Sequence, residues 1–141
     1  MAERVMRAAL AVLALSAVVT GLWATLSPRS FYDGFPGAGR EWVAADGPYN
    51  EHLVRDFGSL NLSLAVVSLV ALVTVGRAVV TAAALAWIVY GVPHLVYHAR
   101  HLDVYGTGDQ VGTITALVLA LVLPVVVLVA DRRRGAAAPA G

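Results

Sequence analysis

The sequence predicts an all-α protein that crosses a lipid bilayer as a four-helix transmembrane bundle. Hydrophobic residues make up 59% of the 141 residues and charged residues 13%, whereas soluble domains average about 45–50% and about 25%. Four apolar stretches reach the roughly 20 residues that a helix needs to cross about 30 Å of hydrocarbon. These predicted spans cover residues 8–26, 57–75, 78–97 and 111–130, within one membrane domain of residues 1–134.

The first span is predicted to be an uncleaved anchor. Arg4 and Arg7 precede it, as basic residues also precede the apolar region of a cleaved signal peptide. That region is usually about 7–15 residues long, and the first span is longer. Trp23 and Leu26 stand near its exit, where a cleavage site would need small residues.

The second and third spans are separated by little more than Gly76 and Arg77. A connection this short forces two helices to be antiparallel neighbours. After the fourth span, three consecutive arginines form a basic block at residues 132–134. The remaining residues, 135–141, are small and include a proline, and they are predicted to form a disordered tail.

The distribution of arginine predicts that both termini lie in the cytoplasm, since cytoplasmic segments carry an excess of basic residues. This topology puts six arginines inside, namely Arg4, Arg7, Arg77, Arg132, Arg133 and Arg134. Four lie outside, namely Arg29, Arg40, Arg55 and Arg100. Seven of the nine acids also lie outside: Asp33, Glu41, Asp46, Glu51, Asp56, Asp103 and Asp109. The use of arginine without lysine, with many Ala, Val and Gly residues, indicates a bacterial genome rich in GC. The predicted location of this multi-pass protein is the bacterial cytoplasmic membrane.

A long first extracytoplasmic loop, residues 27–56, follows from this topology. It exceeds the usual length of a simple connector. Its aromatic residues suit the membrane–water interface; they are Phe31, Tyr32, Phe35, Trp42 and Tyr49. Two interpretations are open: an interfacial segment that caps the bundle, or a lid over a site between the helices.

All four histidines fall on the predicted outer side, near the ends of the second and third spans. If the third helix continues past Tyr97, His94, His98 and His101 share one of its faces. His52 and Asp56 share a face of the second helix, and Asn61 points away from it. Because the two helices are antiparallel, we expect one outward-facing site between them. The predicted metal ligands are His52, Asp56, His94, His98 and His101, with Glu51, Arg55 and Asp103 in a supporting polar network.

This cluster allows several chemistries. Imidazole and carboxylate groups suit a transition metal such as zinc, iron or copper. Two histidines from facing helices could instead hold haem, with Gly58 and Gly91 leaving room for the porphyrin. Histidine with a carboxylate can also handle protons. The remaining alternative is a salt-bridged network that locks the two helix ends together.

Three sequence blocks carry a family resemblance: GLWATLSPRSFYDGFPG, NEHLVRDFGSLNLSLA and GVPHLVYHARHLD. From about Val5 to Ala130 the chain resembles small four-helix bacterial membrane proteins of the broad DoxX-like group. The resemblance implies a link to quinone-coupled sulfur oxidation or to redox complexes. No catalytic residue of that group matches a position in this chain.

The expected function is a binding or accessory subunit, embedded in the lipid bilayer, that uses the outward-facing site. The alternatives are a membrane oxidoreductase subunit using metal, haem or quinone, and a small transporter. A homo-oligomer or a partner membrane subunit is expected, because four helices of this size form a thin bundle. The net charge of +1 gives no reason to expect a nucleic-acid partner, and the absence of cysteine excludes disulfides and thiolate metal sites.

Overall fold

The computed structural model describes residues 1–136 and is almost entirely helical. Its helices are α1 (Ala2–Leu26), α2 (Pro28–Gly34), α3 (Trp42–Asp46), α4 (Glu51–Thr74), α5 (Arg77–Arg100) and α6 (Thr107–Ala136). Two short strands, β1 (Pro36–Gly37) and β2 (Arg40–Glu41), pair between α2 and α3, and a 3₁₀ turn (Leu102–Val104) joins α5 to α6. Among the described residues, four helices, α1, α4, α5 and α6, are long and apolar enough to cross a membrane, as many as the predicted spans.

The helices extend beyond the predicted spans. α4 begins six residues before position 57, because the Asn50 side chain accepts a hydrogen bond from the Leu53 backbone N–H and caps the helix. It ends at Thr74, since Val75 has a left-handed backbone conformation with φ of 54°. α6 continues to Ala136, so the first two residues of the predicted disordered tail are helical. Residues 137–141 of that tail lie outside the described residues.

The four spanning helices form a ring. α1 packs against α4 and α6, and α5 packs against the same two helices from the opposite side. α4 and α5 share the smallest of these four interfaces. We call the end of the bundle that carries Met1 and Ala136 the terminal end, and the end that carries α2 and α3 the loop end. Which of the two faces the cytoplasm stays a prediction.

Close backbone contact joins α1 to α4 near the loop end. A Cβ atom on Gly58 would lie 2.8 Å from the backbone nitrogen of Thr25, and one on Gly21 would lie 3.0 Å from the Gly58 carbonyl oxygen. Only glycine allows two helices to approach this closely, as is common where membrane helices cross. This tight crossing draws α1 toward α4.

The core of the terminal half is tightly packed. Met6, Leu10 and Leu13 of α1 are buried against residues of the other three spans, including Val80 and Val127. One polar pair crosses this region: the Trp87 indole N–H donates to the Ser68 hydroxyl at 2.9 Å, and Ser68 donates to the Leu64 carbonyl at 2.7 Å. Each buried polar group in this chain of hydrogen bonds therefore has a partner.

Ion pairs with the buried Asp131 carboxylate close the terminal end. The Asp131 carboxylate of α6 lies 2.6 Å from an Arg134 nitrogen and 3.6 Å from an Arg77 nitrogen. Arg134 also donates to the Val75 carbonyl at 2.9 Å. These contacts fasten the α4–α5 turn to α6, so the ring is held shut at this end.

Candidate functional site

A cavity of about 490 Å³ lies between the four spanning helices in the loop half of the bundle. Its walls include Asn61 of α4, Tyr90 and His94 of α5, and Thr113 of α6. Its roof is formed by side chains of the α2–α3 segment, namely Phe31, Phe35, Trp42, Val43 and Asp46. The space arises because α4 packs closely against α1 in this half of the bundle and shares only a small interface with α5.

Aromatic rings build the roof. Phe31 and Phe35 have ring centroids 4.7 Å apart, and Phe35 meets Trp42 edge to face at 6.2 Å. The Trp42 backbone N–H donates to the Phe35 carbonyl at 2.9 Å, which folds α3 back over α2. The lid interpretation of this loop is therefore compatible with its position, because these rings separate the cavity from the loop end.

A single carboxylate ties the roof to α6. Asp109, in the first turn of that helix, accepts a 2.7 Å hydrogen bond from the Trp42 indole N–H and forms an ion pair with Arg40. The indole also rests on Gly112, where a Cβ atom would lie 2.9 Å from the Trp42 ring. Asp109 and Gly112 together set the position of Trp42.

His94 is the central wall residue of the cavity. Its half-buried imidazole stacks against Tyr90, with centroids 5.2 Å apart, and against Phe57 at 6.3 Å. His98, one helical turn farther on, meets it edge to face at 4.8 Å. The spacing of four residues thus aligns Tyr90, His94 and His98 along one face of α5, and all three line the cavity.

Tyr105 links His98 to the roof. Its hydroxyl donates to the Trp42 carbonyl at 3.1 Å and lies 3.4 Å from His98 Nδ1. A phenol has one hydrogen to donate, so a bond with His98 requires the proton on Nδ1 and leaves Nε2 as the acceptor. Burial raises the pKa of Tyr105 to about 12, which keeps its hydroxyl protonated throughout the neutral range.

Two polar groups lie deep in the cavity wall. Asn61 is 4% exposed, and its amide donates to the Phe57 carbonyl of its own helix at 2.9 Å. Thr113 is 3% exposed, and within residues 1–136 its hydroxyl has no hydrogen-bond partner. Leaving a buried hydroxyl unpaired costs about 1–3 kcal/mol. Thr113 lies in the cavity wall, and because its oxygen is itself buried, a molecule in the cavity reaches the hydroxyl only after a small movement of the neighbouring side chains.

The cavity reaches the surface at the loop ends of α4 and α5. Leu53 of α4 and Tyr97 of α5 line it and are 65% and 45% exposed. The mouth between them coincides with the smallest helix–helix interface of the ring. A ligand entering here would pass between two spanning helices near the membrane–water interface.

The structure brings together only part of the predicted site. His94 and His98 line the cavity. His101 lies at its edge, stacked on Tyr97 with centroids 4.2 Å apart. His52, in contrast, has an 87% exposed side chain and contacts Asp56 of its own helix at 3.3 Å.

The supporting residues form separate surface contacts. Arg55 pairs with Glu51 at 2.9 Å and donates to the Thr25 carbonyl, and Asp103 is exposed. In the described part of the chain, no three His, Asp or Glu side chains come close enough to hold one metal ion. The metal set of His52, Asp56, His94, His98 and His101 thus gains no support from the geometry.

The room expected for a porphyrin is filled by helix packing. Gly58 contacts Thr25 of α1, and a Cβ atom on Gly91 would lie 2.7 Å from the Leu121 side chain of α6. Both glycines allow helices to approach closely and leave no free space. The side chains beside them do not fit a haem group at these positions.

Several cavity residues were missed by reasoning from sequence. Tyr90 precedes His94 by four residues, and this spacing was a usable signal. Thr113 and Tyr105 had no such signal in the sequence. The position of Thr113 depends on the rotation of α6, and that of Tyr105 on the turn before α6. Comparison of the chain with protein-family models, curated proteins and solved structures gives no match, and the DoxX-like resemblance stays a prediction.

Proposed function

We propose that this protein is a binding or accessory subunit of the bacterial cytoplasmic membrane and that the loop-end cavity is its binding site. One observation carries the proposal: the wall of an aromatic-lined cavity between the helices includes a buried Thr113 hydroxyl with no partner among residues 1–136. Its volume of about 490 Å³ falls within the range of about 300–1,000 Å³ that is usual for small-molecule sites.

The lining defines the class of ligand. Phe31, Phe57 and Trp87 supply flat apolar surfaces, which favour a ring or another compact apolar body. Tyr90 and Thr113 supply hydroxyl groups on the adjacent helices α5 and α6. We therefore propose a small, mostly apolar ligand with at least one hydrogen-bond acceptor, such as a carbonyl oxygen, that enters from the membrane between Leu53 and Tyr97.

Binding is favoured over transport by the packing below the cavity. The terminal half is filled by fully buried side chains, including Leu10, Val80 and Val127. Asp131 is also buried and ion-paired there. A transport path would need to open this packed half, whereas a binding site needs only the loop-end mouth.

A redox subunit is the second candidate, and the row of Tyr90, His94, His98 and Tyr105 favours it. These groups can carry protons, and they run from the cavity wall to the turn after α5. Elemental analysis and an absorbance scan of detergent-purified protein test this candidate, with a His94→Ala, His98→Ala double variant as control. Stoichiometric metal, or a visible chromophore, that is lost in the variant would support it.

Cavity filling tests the binding proposal itself. Ala120→Phe adds a ring to the cavity wall, while Ala82→Phe adds the same ring to an exposed position on α5. Protein is extracted from native membranes with mild detergent, and bound small molecules are identified by mass spectrometry. A stoichiometric compound present in wild type and Ala82→Phe but lost from Ala120→Phe supports the proposal. Equal retention by both variants, or no such compound in wild type, would contradict it.

A further inference from the structure

A second apolar hollow lies at the terminal end, between the beginning of α1 and the last turns of α6. This terminal groove has a volume of about 520 Å³ and is lined almost entirely by aliphatic side chains, together with Arg133. Helix α6 contributes Val125, Val126, Val129 and Ala130 to its lining. Their spacing places them on one helix face, so the groove runs along the helix toward Arg133.

Two arginines of the basic block at residues 132–134 have different surroundings. Arg134 is held inside the bundle by Asp131 and the Val75 carbonyl. Arg133 borders the terminal groove and is exposed, and within residues 1–136 it makes no ion pair. An apolar groove that ends at an unpaired guanidinium is complementary to an amphiphile with an anionic head.

The length of the groove matches one leaflet of a bilayer. From Val125 to Arg133 the helix advances eight residues, which corresponds to about 12 Å at roughly 1.5 Å per residue. Half of the hydrocarbon core is about 15 Å thick. An acyl chain lying against Val125 and Val129 would therefore place its headgroup at the level of Arg133.

We propose that the terminal groove binds an anionic phospholipid of the surrounding bilayer. One acyl chain occupies the groove beside Val129, and the phosphate pairs with Arg133. Arginine is suited to this role because its planar guanidinium can donate two parallel hydrogen bonds to phosphate. This site lies at the opposite end of the bundle from the loop-end cavity, so it is independent of the proposed function.

Native mass spectrometry of the full chain in detergent tests whether Arg133 pairs with the lipid phosphate. The protein is titrated with dioleoyl phosphatidylglycerol, which is anionic, and with dioleoyl phosphatidylcholine, which is zwitterionic. We expect tighter binding of the first lipid and a loss of about fivefold in its affinity for Arg133→Gln, since one basic residue contributes about 1 kcal/mol at an anionic surface. Arg132→Gln removes the same charge from an exposed residue that does not line the groove, and its affinity should stay near wild type.

Filling the groove with a larger side chain tests whether an acyl chain occupies it. Val129→Trp places a large side chain in the groove, and Val66→Trp places one on an exposed face of α4. We expect loss of the bound lipid in the first variant only. Equal affinity for the two lipids, equal effects of the two arginine variants, or full retention of the lipid by Val129→Trp would each overturn the proposal.

Discussion

Replacement of Thr113 by valine separates the cost of an unpaired buried hydroxyl from the benefit of that hydroxyl to a bound ligand. The two side chains have nearly the same shape, so the change removes a hydroxyl with little change in packing. In the unliganded protein that hydroxyl is buried and unpaired among the described residues. Removing it should therefore stabilise the unliganded protein, whereas most substitutions at buried positions destabilise.

The magnitude follows from the two states of the hydroxyl. An unpaired buried polar group costs about 1–3 kcal/mol in soluble proteins. Side-chain hydrogen bonds inside membrane proteins average only about 0.6 kcal/mol, so we take the lower end of that range. We expect the free energy of unfolding of delipidated, ligand-free Thr113→Val to rise by about 1 kcal/mol. A neutral hydrogen bond to a ligand contributes about 0.5–1.5 kcal/mol, so affinity for the compound that co-purifies with wild type should fall by roughly 2- to 13-fold.

Thr115→Val is the matched control, because Thr115 lies two residues away on α6 and is exposed. It should change neither stability nor affinity. Thermal unfolding followed by circular dichroism gives the first quantity, and equilibrium dialysis with the co-purifying compound gives the second. A Thr113→Val protein that is less stable than wild type, beside an unchanged Thr115→Val, would refute the reasoning. It would mean that the hydroxyl is paired in the unliganded protein.

Three further predictions concern the roof and the helix packing. Asp109→Asn removes the negative charge that pairs with Arg40 and weakens the bond to the roof, so trypsin should cut after Arg40 several times faster. Gly58→Ala places a methyl group against the α1 backbone, and the overpacking should lower the free energy of unfolding by about 1–3 kcal/mol. The tyrosinate absorbance of the folded protein should include a component that titrates near pH 12, and Tyr105→Phe should reduce that component by the absorbance of one tyrosine. Because the pKa of Tyr105 is raised on folding, its contribution to stability is complete below about pH 10 and is lost as pH rises toward 12.

Each of these predictions has a control. Asp103→Asn removes an exposed carboxylate and should leave the rate of tryptic cleavage unchanged. Gly108→Ala adds a methyl group where no other atom lies within 4 Å, and its free energy of unfolding should not fall below that of wild type. Tyr49→Phe, at a tyrosine that does not contribute to the raised pKa of Tyr105, should leave the component that titrates near pH 12 in place. An equal effect in a control and in its test variant would contradict the contact assigned to the test residue.

The spans were predictable because lipid acts as the solvent for most of this chain. Long apolar stretches form helices there, since each backbone polar group must be satisfied internally. The ends of the helices were less predictable because they depend on local capping. The Asn50 side chain begins α4 six residues ahead of the predicted span by accepting a hydrogen bond from the third residue after it. Hydropathy alone does not reveal such a cap.

Two of the predicted ligands, His94 and His98, lie together in the cavity wall. Spacing along one helix correctly placed His94 and His98 together, because both belong to α5 and no tertiary information was needed. The position of His52 depended on how α4 is rotated. In α4 the inward face carries Val54, Phe57 and Asn61, while His52 faces out. Polar side chains at a helix end outside the hydrocarbon can face water, so a polar stripe there does not identify the inner face of the helix.

The roof and Thr113 could not have been assigned from the sequence. Trp42 reaches its position through Asp109, which lies 67 residues away in the chain. Thr113 matters only because the packing of four helices leaves its hydroxyl buried without a partner in the described residues. Both features arise from long-range contacts, which composition and helical periodicity do not encode.

The central claim is that the loop-end cavity binds a ligand, and a structure of the protein in lipid nanodiscs prepared directly from its own membranes tests it most directly. The account predicts non-protein density between His94 and Thr113, with a polar atom within hydrogen-bond distance of the Thr113 hydroxyl. A cavity closed by side chains, with that hydroxyl bonded to the protein itself, would contradict the account.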